Sequence, residues 1–332
     1  MHYLNMTRRG FVGLAVAASL AFPAIATAQG YPTKPITLVV PFAAGGPTDT
    51  TARLMGEHMS RTLGQQIVIE NVAGAGGTTG TERVAKATPD GYTMLFHHSG
   101  IAGAPALYSN LRYDTKTAFE TVGLVNRGPM TVITKKGMEQ KTAKELFDWM
   151  KANADKVTLA HAGVGSNSHV CGLLLQKVLG QKFTFVAYRG TGPAMNDLVA
   201  GQIDAMCDLS TTTVPQITGG TVKAYVVADA ERIANLDVPS AVEAGYPDLQ
   251  MTPWHAVYAP KGTPKEVVDK VNAAIVAALK DPAVYEKFAA VGMARFPEAQ
   301  WTPEAHNKHF QADIERQAAL LSSSGIKPSE AK

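Results

Sequence analysis

The chain has 332 residues, a formal net charge of +3 and 45% hydrophobic residues, which is ordinary globular composition. Because it lacks the strongly basic character of nucleic-acid-binding proteins, we expect no nucleic-acid partner. A chain of this length tends to divide its hydrophobic core in two, and two cysteines are too few for a disulfide framework, so we expect two lobes held together by packing.

The first 28 residues have the pattern of a secretory signal. Two arginines precede an apolar stretch from 11 to 25, and the stretch ends in the small residues ATA, which suit a signal peptidase. It is too short to span a bilayer. We therefore predict cleavage after Ala28 and export from the cytoplasm, by either the general secretory or the twin-arginine route. These residues hold two arginines and no acid, so the formal charge of the remaining chain is +1.

Apolar runs alternate with amphipathic runs in two parts of the chain. The first part reads ITLVVPF, TTARLMGEHMSRTLG, QIVIENV, GTERVAKATPDG and YTMLFH, between residues 36 and 97. The second part reads VTLAHA, SHVCGLLLQKVLG, FTFVAYR, PAMNDLVAGQ and IDAMCDL, between residues 157 and 209. This alternation is typical of strand–helix–strand units around a largely parallel sheet, so we predict one α/β sheet in each lobe.

Glycine-rich turns follow the first two predicted strands. The first turn runs through Gly45 and Gly46 to a helix start at Thr48 or Asp49, and a turn of this shape commonly holds a ligand. The second, GAGGTTG from residue 74, lies in the setting of a dinucleotide-binding turn. Its spacing is wrong because Thr79 stands where the last glycine is needed, and no phosphate-loop lysine follows, so we expect no nucleotide cofactor.

Two pairs of histidines are candidate ligands. His97 and His98 end the third predicted strand, ahead of Ser99. Adjacent imidazoles at a strand end do not readily share one metal ion, so we expect solute contact or hydrogen bonding, with a hint of a flat or larger solute. His306 and His309 lack an accompanying carboxylate or cysteine cluster, so we expect them on the solvated surface, and we expect no metal site.

The turn Gly163–His169 lies between a strand and a helix of the second lobe, with Ser166 as a natural helix cap. Ser166 beside His169 raises the alternative of an exported hydrolase, although no G-x-S-x-G elbow occurs in the chain. The backbone N–H groups and the dipole of the helix start favour an anion site instead.

A third turn of this kind, YRGTGP from residue 188, precedes the next helix and places Pro193 at its first position. Arg189 in this turn is either a partner for a carboxylate or a solvated surface group.

Elsewhere in the chain, Cys171 and Cys207 are either one disulfide or two buried thiols. The segment from 265 to 321 is predicted to form helices that pack against a lobe.

The carboxyl ends of strands in open α/β sheets are where such proteins bind ligands, so the turns of the two lobes are predicted to face one another across a cleft. Their backbone and hydroxyl donors, with few fixed charges, suit a small carboxylate held by neutral hydrogen bonds. They supply no general base or nucleophile, so we expect a binding protein and not an enzyme.

The sequence resembles the Bug-type periplasmic solute receptors of tripartite tricarboxylate transporters along almost the whole chain that follows the signal. The resemblance is carried by YPTKPITLVVPFAAGGPTDTTAR at 31–53, LGQQIVIENVAGAGGTTGTERVAKATPDGYTML at 63–95, ALYSNLRYD at 106–114, GVGSNSH at 163–169, YRGTGPAMNDLVAGQIDAM at 188–206, VPSAVEAGYPD at 238–248 and APKGTP at 259–264. FHHSGIAGAP departs from the small, polar run that many relatives show after the third strand, and Arg189 stands where lysine is common.

The resemblance implies a type II-like, Venus-flytrap fold of two lobes, each a mostly parallel sheet flanked by helices. A signal peptide at 1–28 is followed by a first lobe at 29–127, a second lobe at 128–251 and a return to the first lobe at 252–332. The crossings lie near residues 126–131 and 250–254. Together with the turns described above, it predicts these ligand-binding residues: Ala44, Gly45, Gly46, Thr48, Asp49, His98, Ser99, Gly165, Ser166, His169, Arg189, Gly190, Thr191, Gly192 and Asp208.

The function implied is capture of a dicarboxylate, tricarboxylate or aromatic acid, followed by delivery to the membrane subunits of a transporter. We expect a monomer without a cofactor. Two alternatives remain at this point: the hydrolase that uses Ser166 and His169, and a solute sensor that docks on a signalling protein.

Overall fold

The computed structural model describes residues 30–323 and residue 328. The predicted export signal at 1–28 lies outside the described residues. Among the helices that are described, none is long and apolar enough to cross a membrane.

The strands form two sheets. The first sheet has the order β11-β4-β10-β3-β1-β2, with β1 (Ile36–Val40), β2 (Ile67–Asn71), β3 (Thr93–His98), β4 (Phe119–Arg127), β10 (Trp254–Pro260) and β11 (Ala294–Arg295). The second sheet has the order β7-β6-β8-β5-β9, with β5 (Met130–Lys135), β6 (Thr158–His161), β7 (Thr184–Ala187), β8 (Ala205–Leu209) and β9 (Val222–Ala228).

Helices flank both sheets. The helices that pack with the first sheet are α1 (Pro47–Leu63), α2 (Thr78–Ala85), α3 (Gly100–Leu107), α8 (Lys265–Lys280), α9 (Pro282–Ala290) and α10 (Pro303–Ser323). Those that pack with the second are α4 (Ala143–Ala152), α5 (Asn167–Leu179), α6 (Thr191–Val199) and α7 (Ser210–Thr218). We call each sheet with its helices the first lobe and the second lobe.

The predicted α/β class with two sheets flanked by helices is confirmed, with one refinement. Both sheets are mixed: β1 pairs in parallel with β2 and β3, and β6 with β7 and β8, whereas β10 and β5 pair antiparallel with both of their neighbours. The antiparallel strands β4, β10 and β5 adjoin the two places where the chain passes between the sheets. The alternation of strands and helices did not reveal them because no helix of the described chain lies between β4 and β5 or between β9 and β10.

The chain passes between the sheets twice, and the two passages lie side by side. Sheet membership changes between Arg127 and Met130 and again between β9 and β10. The N–H of Gly128 donates to the carbonyl oxygen of Pro253 at 3.0 Å, and the N–H of Met130 donates to that of Met251 at 3.3 Å. Two adjacent, hydrogen-bonded strands are suited to act as a hinge. The predicted lobe boundaries themselves stay a prediction.

The C-terminal helices pack on the first lobe as predicted, but the histidines of α10 do not lie on the solvated surface. His306 is fully buried, with its ring 4.7 Å from that of Tyr258, and His309 is half-buried, 4.9 Å from the ring of Trp254. The indole N–H of Trp254 donates to Asp313 at 3.0 Å. The surface expectation was wrong because β10, which this helix covers, is buried along its whole length.

The two cysteines, which the sequence left as either one disulfide or two buried thiols, both lie in the second lobe. Cys171 in α5 and Cys207 in β8 form a disulfide, with their Cα atoms 6.0 Å apart and both residues fully buried. The bond joins the helix that begins at the Gly163–His169 turn to the strand that contains Asp208. It therefore ties together two elements that lead to the cleft.

Reduction of this disulfide should destabilise the second lobe. The bond closes a loop of 36 residues, for which the loss of denatured-state entropy corresponds to about 2–4 kcal/mol. Urea unfolding after refolding with and without a thiol reductant measures the difference, and the double variant Cys171→Ala/Cys207→Ala should show no response to reductant. Equal unfolding free energies for the oxidised and reduced wild-type protein would contradict this prediction.

Candidate functional site

The strand–helix turns of both lobes meet around a cavity of about 20 Å³. We call this space the interlobe cavity, and it is lined by Phe42, Gly46, Pro47, Thr48, His98, Ala162, Ser166, Asn167, Ser168, Thr191, Asp208 and Leu209. The first five residues lie in the turn after β1, at the start of α1 or at the end of β3. The others lie after β6, at the start of α5, at the start of α6 or at the end of β8. The carboxyl ends of strands from both sheets thus line one cavity.

Three helices begin at this cavity. The first residues of α1, α5 and α6 are Pro47, Asn167 and Thr191, and all three line it. The first N–H groups of a helix have no partner within the helix, and the aligned peptide dipoles place a partial positive charge there. Three such ends around one small space make it a site for an anion without any lysine or arginine in the described lining.

Asp49 holds the turn of the first lobe in place and does not itself face the cavity. Its Oδ2 accepts hydrogen bonds from the N–H of Gly45 and from Nε of Arg53, each at 3.0 Å. Its Oδ1 accepts from Nη2 of Arg53 and from Nδ2 of Asn71, each at 2.9 Å. Burial opposes ionisation of Asp49, but the hydrogen bonds from Arg53, Gly45 and Asn71 outweigh it and lower its pKa.

The other residues of that turn divide into two groups. Gly46 and Thr48 line the cavity, whereas Ala44 and Gly45 are exposed. Asn71, which the sequence did not mark as functional, bonds both to Asp49 and to the carbonyl oxygen of Phe42 at 3.0 Å. It therefore ties the end of β2 to the turn after β1.

The two lobes touch through these turns. The N–H of Ala43 donates to the carbonyl oxygen of Arg189 at 3.1 Å, and the hydroxyl of Ser99 donates to Oδ1 of Asn167 at 3.0 Å. The hydroxyl of Tyr108 donates to the carbonyl oxygen of Val164 at 2.5 Å. Each bond joins the first lobe to the second, so the structure shows the lobes closed on each other.

The adjacent histidines at the end of β3, His97 and His98, are neutral. His98 lines the cavity, and its ring stacks on Phe42 at 4.5 Å while its Nδ1 accepts from the N–H of Gly100 at 2.9 Å. His97 points elsewhere, with its Nδ1 donating to the carbonyl oxygen of His98 at 2.8 Å. Burial lowers the pKa of His97 to about 3 and that of His98 well below its ordinary value of 6.5. A face already covered by Phe42 does not favour stacking of a flat solute.

Ser166 and His169 are bonded to the backbone of their own turn. The hydroxyl of Ser166 donates to the carbonyl oxygen of Gly163 at 2.7 Å and accepts from the N–H of His169 at 3.3 Å. Nδ1 of His169 accepts from the N–H of Gly165 at 3.2 Å, and burial lowers its pKa to about 3. A hydroxyl used as a helix cap beside such a weak base does not form a nucleophile–base pair.

Residues 189–192, at the start of α6, contribute both to the interlobe cavity and to a second, larger pocket. Thr191 lines the interlobe cavity, and Gly190 and Gly192 allow the first-lobe turn to approach closely, because a Cβ on either would overlap the backbone of Ala43 or Ala44. The side chain of Arg189 is exposed and lines a larger pocket of about 560 Å³ beside the cleft. The structure therefore does not bring Arg189 to the cavity lining.

Asp208 lies at the bottom of the cavity with 2% of its surface exposed. Its Oδ1 accepts from the hydroxyl of Thr191 at 3.1 Å, and its Oδ2 accepts from the hydroxyl of Thr212. Burial raises its pKa to about 7, although these hydrogen bonds oppose the shift.

No group of three His, Cys, Asp or Glu side chains in the described part of the chain has the geometry of a metal site.

Several lining residues were not predicted: Phe42, Pro47, Ala162, Asn167, Ser168 and Leu209. All of them adjoin predicted residues in the same turns, so their position along the chain was an available signal. Ser99 and Gly165, which were predicted, lie at the contact between the lobes and do not line the cavity.

This fold, with two lobes that meet at the carboxyl ends of their strands, is that of periplasmic solute-binding proteins. A family model described as the tripartite tricarboxylate transporter family receptor matches residues 51–326. A UPF0065 protein from the TAR-I ttuE-ttuC' intergenic region of Agrobacterium vitis is 46% identical over 95% of this chain and 91% of its own length. The chain therefore belongs to this receptor family, as the sequence resemblance predicted.

Solved structures agree with this assignment. The periplasmic binding protein BugD has a TM-score of 0.88 and 45% identity, with 90% of this chain and 100% of that chain covered. MatC from Rhodopseudomonas palustris with bound malate has a TM-score of 0.84 and 41% identity, with 88% of this chain and 100% of that chain covered. The family and these neighbours are solute-binding proteins and not enzymes, and the two-lobed fold class is confirmed.

Removal of the Asp49 carboxylate should lower the free energy of unfolding more than removal of the Arg53 side chain. In Asp49→Ala, Gly45 and Asn71 lose the acceptor of two part-buried hydrogen bonds, each of which contributes about 0.5–1.5 kcal/mol, and the turn loses its link to both residues. In Arg53→Ala, the turn loses an ion pair and a hydrogen bond to Oδ1 of Asn71, both made by an arginine side chain that is 52% exposed, which costs about 1 kcal/mol. Urea unfolding of both variants tests this ordering, and equal losses of stability would contradict it.

Proposed function

We propose that this chain is an exported periplasmic receptor that captures a small organic carboxylate between its lobes and delivers it to the membrane subunits of a tripartite tricarboxylate-type transporter. The observation that carries the proposal is the convergence of three helix starts on one cavity whose described lining has no fixed cation. Such a site favours an anion through N–H groups and dipoles. Family membership supports the link to a transporter.

The size and shape of the site favour a short aliphatic acid over a tricarboxylate or an aromatic acid. The closed cavity measures only about 20 Å³, so a short acid requires the least separation of the lobes. The ring of His98 already stacks on Phe42 at 4.5 Å, which leaves its face covered. Bound malate in MatC, a related receptor, supports the same class of solute.

Closure explains why binding would be tight without a fixed cation. The donors of α1 belong to the first lobe and those of α5 and α6 to the second, so a solute reaches all of them only when the lobes are together. The solute shifts the protein towards this state by no more than its differential affinity for it. The adjacent passages at residues 127–130 and 251–254 give the lobes an axis about which to move.

A thermal-shift screen of aliphatic and aromatic mono-, di- and tricarboxylates tests the proposed function. A short dicarboxylate at about 100 times its Kd should raise the unfolding free energy by about 2.7 kcal/mol, which is readily seen as a higher Tm. The dimethyl ester of the same acid, which lacks the negative charge, is the matched control and should give no shift. A folded protein that no acid stabilises would contradict the proposal.

Gly192→Ala should block closure without harming the fold. Gly192 lies in α6 with an ordinary backbone conformation, but a Cβ there would overlap the carbonyl oxygen of Ala44 across the cleft. Alanine in a helix is more favourable than glycine by up to about 1 kcal/mol, so the variant should unfold at an equal or higher temperature. We expect calorimetry to show solute binding at least about tenfold weaker, a loss of about 1.4 kcal/mol.

The control for this variant is Gly137→Ala, because nothing lies within 4 Å of a Cβ at Gly137. It should bind with wild-type affinity. Wild-type affinity in Gly192→Ala would show that the solute does not need the lobe contact seen here.

A further inference from the structure

Asp208 would place a second negative charge beside a carboxylate bound in the proposed site. Of the described residues that line the interlobe cavity, it is the sole carboxylate, and none is lysine or arginine. It is 2% exposed, and the cavity beside it measures about 20 Å³. A solute carboxylate that enters so small a space lies close to Asp208, and two neighbouring carboxylates with no cation between them do not both remain ionised.

We propose that Asp208 acts as a neutral carboxylic acid in the solute-bound state, so that each carboxylate captured brings one proton from water into the closed site. The inference rests on the proposed function and concerns the same cavity. It makes Asp208 a specificity-determining residue, because its acid O–H donates to a carboxylate oxygen and offers nothing to an ammonium group. A solute that carries a cation at this position is therefore disfavoured.

The hydrogen bonds of Asp208 fit this role. The hydroxyl of Thr191 donates to Oδ1 at 3.1 Å, and that of Thr212 donates to Oδ2, so each oxygen receives one donor from within the second lobe. These two contacts orient the carboxyl group and leave its proton for the cavity. Burial alone already raises the pKa of Asp208 to about 7, and a nearby anion raises it further.

The groups around Asp208 do not provide a compensating charge. From the first lobe it is faced across the cavity by His98, whose pKa is lowered by burial and by neighbouring His97 and His255. The titratable groups on elements packed against β8 are Lys135 on β5, His161 on β6, His169 and Lys177 on α5, and Asp197 on α6.

The histidines among them are neutral, since burial lowers the pKa of His161 to about 4 and that of His169 to about 3. Lys135 is paired with Asp204 at 2.7 Å, and Asp197 accepts from the hydroxyl of Tyr188 at 2.6 Å. The Lys177 side chain lines a separate pocket that shares no residue with the lining of the interlobe cavity. Asp208 is thus the group whose protonation responds to the solute.

The test is calorimetric titration with succinate and L-malate from about pH 6 to about pH 9. Because the free protein loses the Asp208 proton above its pKa and must regain it on binding, the affinity of the wild-type protein should fall about tenfold per pH unit above neutrality and stay level below it. Titrations at about pH 8 in buffers of different ionisation enthalpy should show close to one proton taken up per solute.

Asp208→Asn separates this role from a merely structural one. The amide has the size of the acid, accepts from one threonine hydroxyl and donates an N–H where the acid donates its O–H. We expect affinity within about threefold of the wild-type value near pH 6, no decline up to about pH 9 and no proton uptake. Asp204→Asn is the matched control, because Asp204 immediately precedes the same strand but pairs with Lys135, and it should keep the wild-type pH profile.

Three results would overturn this inference and leave the proposed function standing. They are binding by the wild-type protein without proton uptake, a pH profile that Asp204→Asn flattens as well, and loss of binding in Asp208→Asn at every pH. The last would show that Asp208 works as a carboxylate that pairs with a cation on the solute. If neither acid, nor any other in the screen, binds the wild-type protein at any pH, the proposed function fails and this inference fails with it.

Discussion

The starts of α1, α5 and α6 meet at one point, and the rest of the structure serves that meeting. Each helix start presents N–H groups that have no partner within the helix, and three of them around a cavity of about 20 Å³ favour an anion. The two sheets place the helix starts on opposite lobes, and the paired passages between the sheets let the lobes move. Gly190 and Gly192, at the start of α6, let the backbones of the two lobes touch. Under the proposed function, solute binding and lobe closure are therefore one event.

Two aspartates near this point show how surroundings decide the role of a residue. Asp49 receives four hydrogen bonds, two of them from an arginine, so its pKa is lowered and it serves as a fixed anion that shapes the first turn. Asp208 receives two hydroxyl donors and no cation, and burial raises its pKa to about 7. One carboxylate organises the site, and the other is suited to respond to what enters it.

The sheets and the turns were predictable because both depend on local pattern: strand–helix alternation, and glycine or serine at a helix start. The remaining features depend on contacts between distant parts of the chain. Asn71 supports Asp49 from 22 residues away, and Phe42 stacks on one face of the His98 ring, whereas the hint of a flat solute stays a prediction. His306 was expected on the surface, but the packing of α10 against β10 buries it. Asp208 was predicted from the family resemblance, whereas its raised pKa depends on burial among residues from distant parts of the chain.

The central claim is that helix starts of both lobes hold one carboxylate without a fixed cation. A crystal structure of the protein grown with the acid that stabilises it most tests this directly. We predict that one carboxylate group of the solute lies within hydrogen-bond distance of N–H or hydroxyl donors at the start of α1 and at the start of α5 or α6. A carboxylate paired with Arg189 at the edge of the cleft, or held by donors of one lobe alone, would contradict the account.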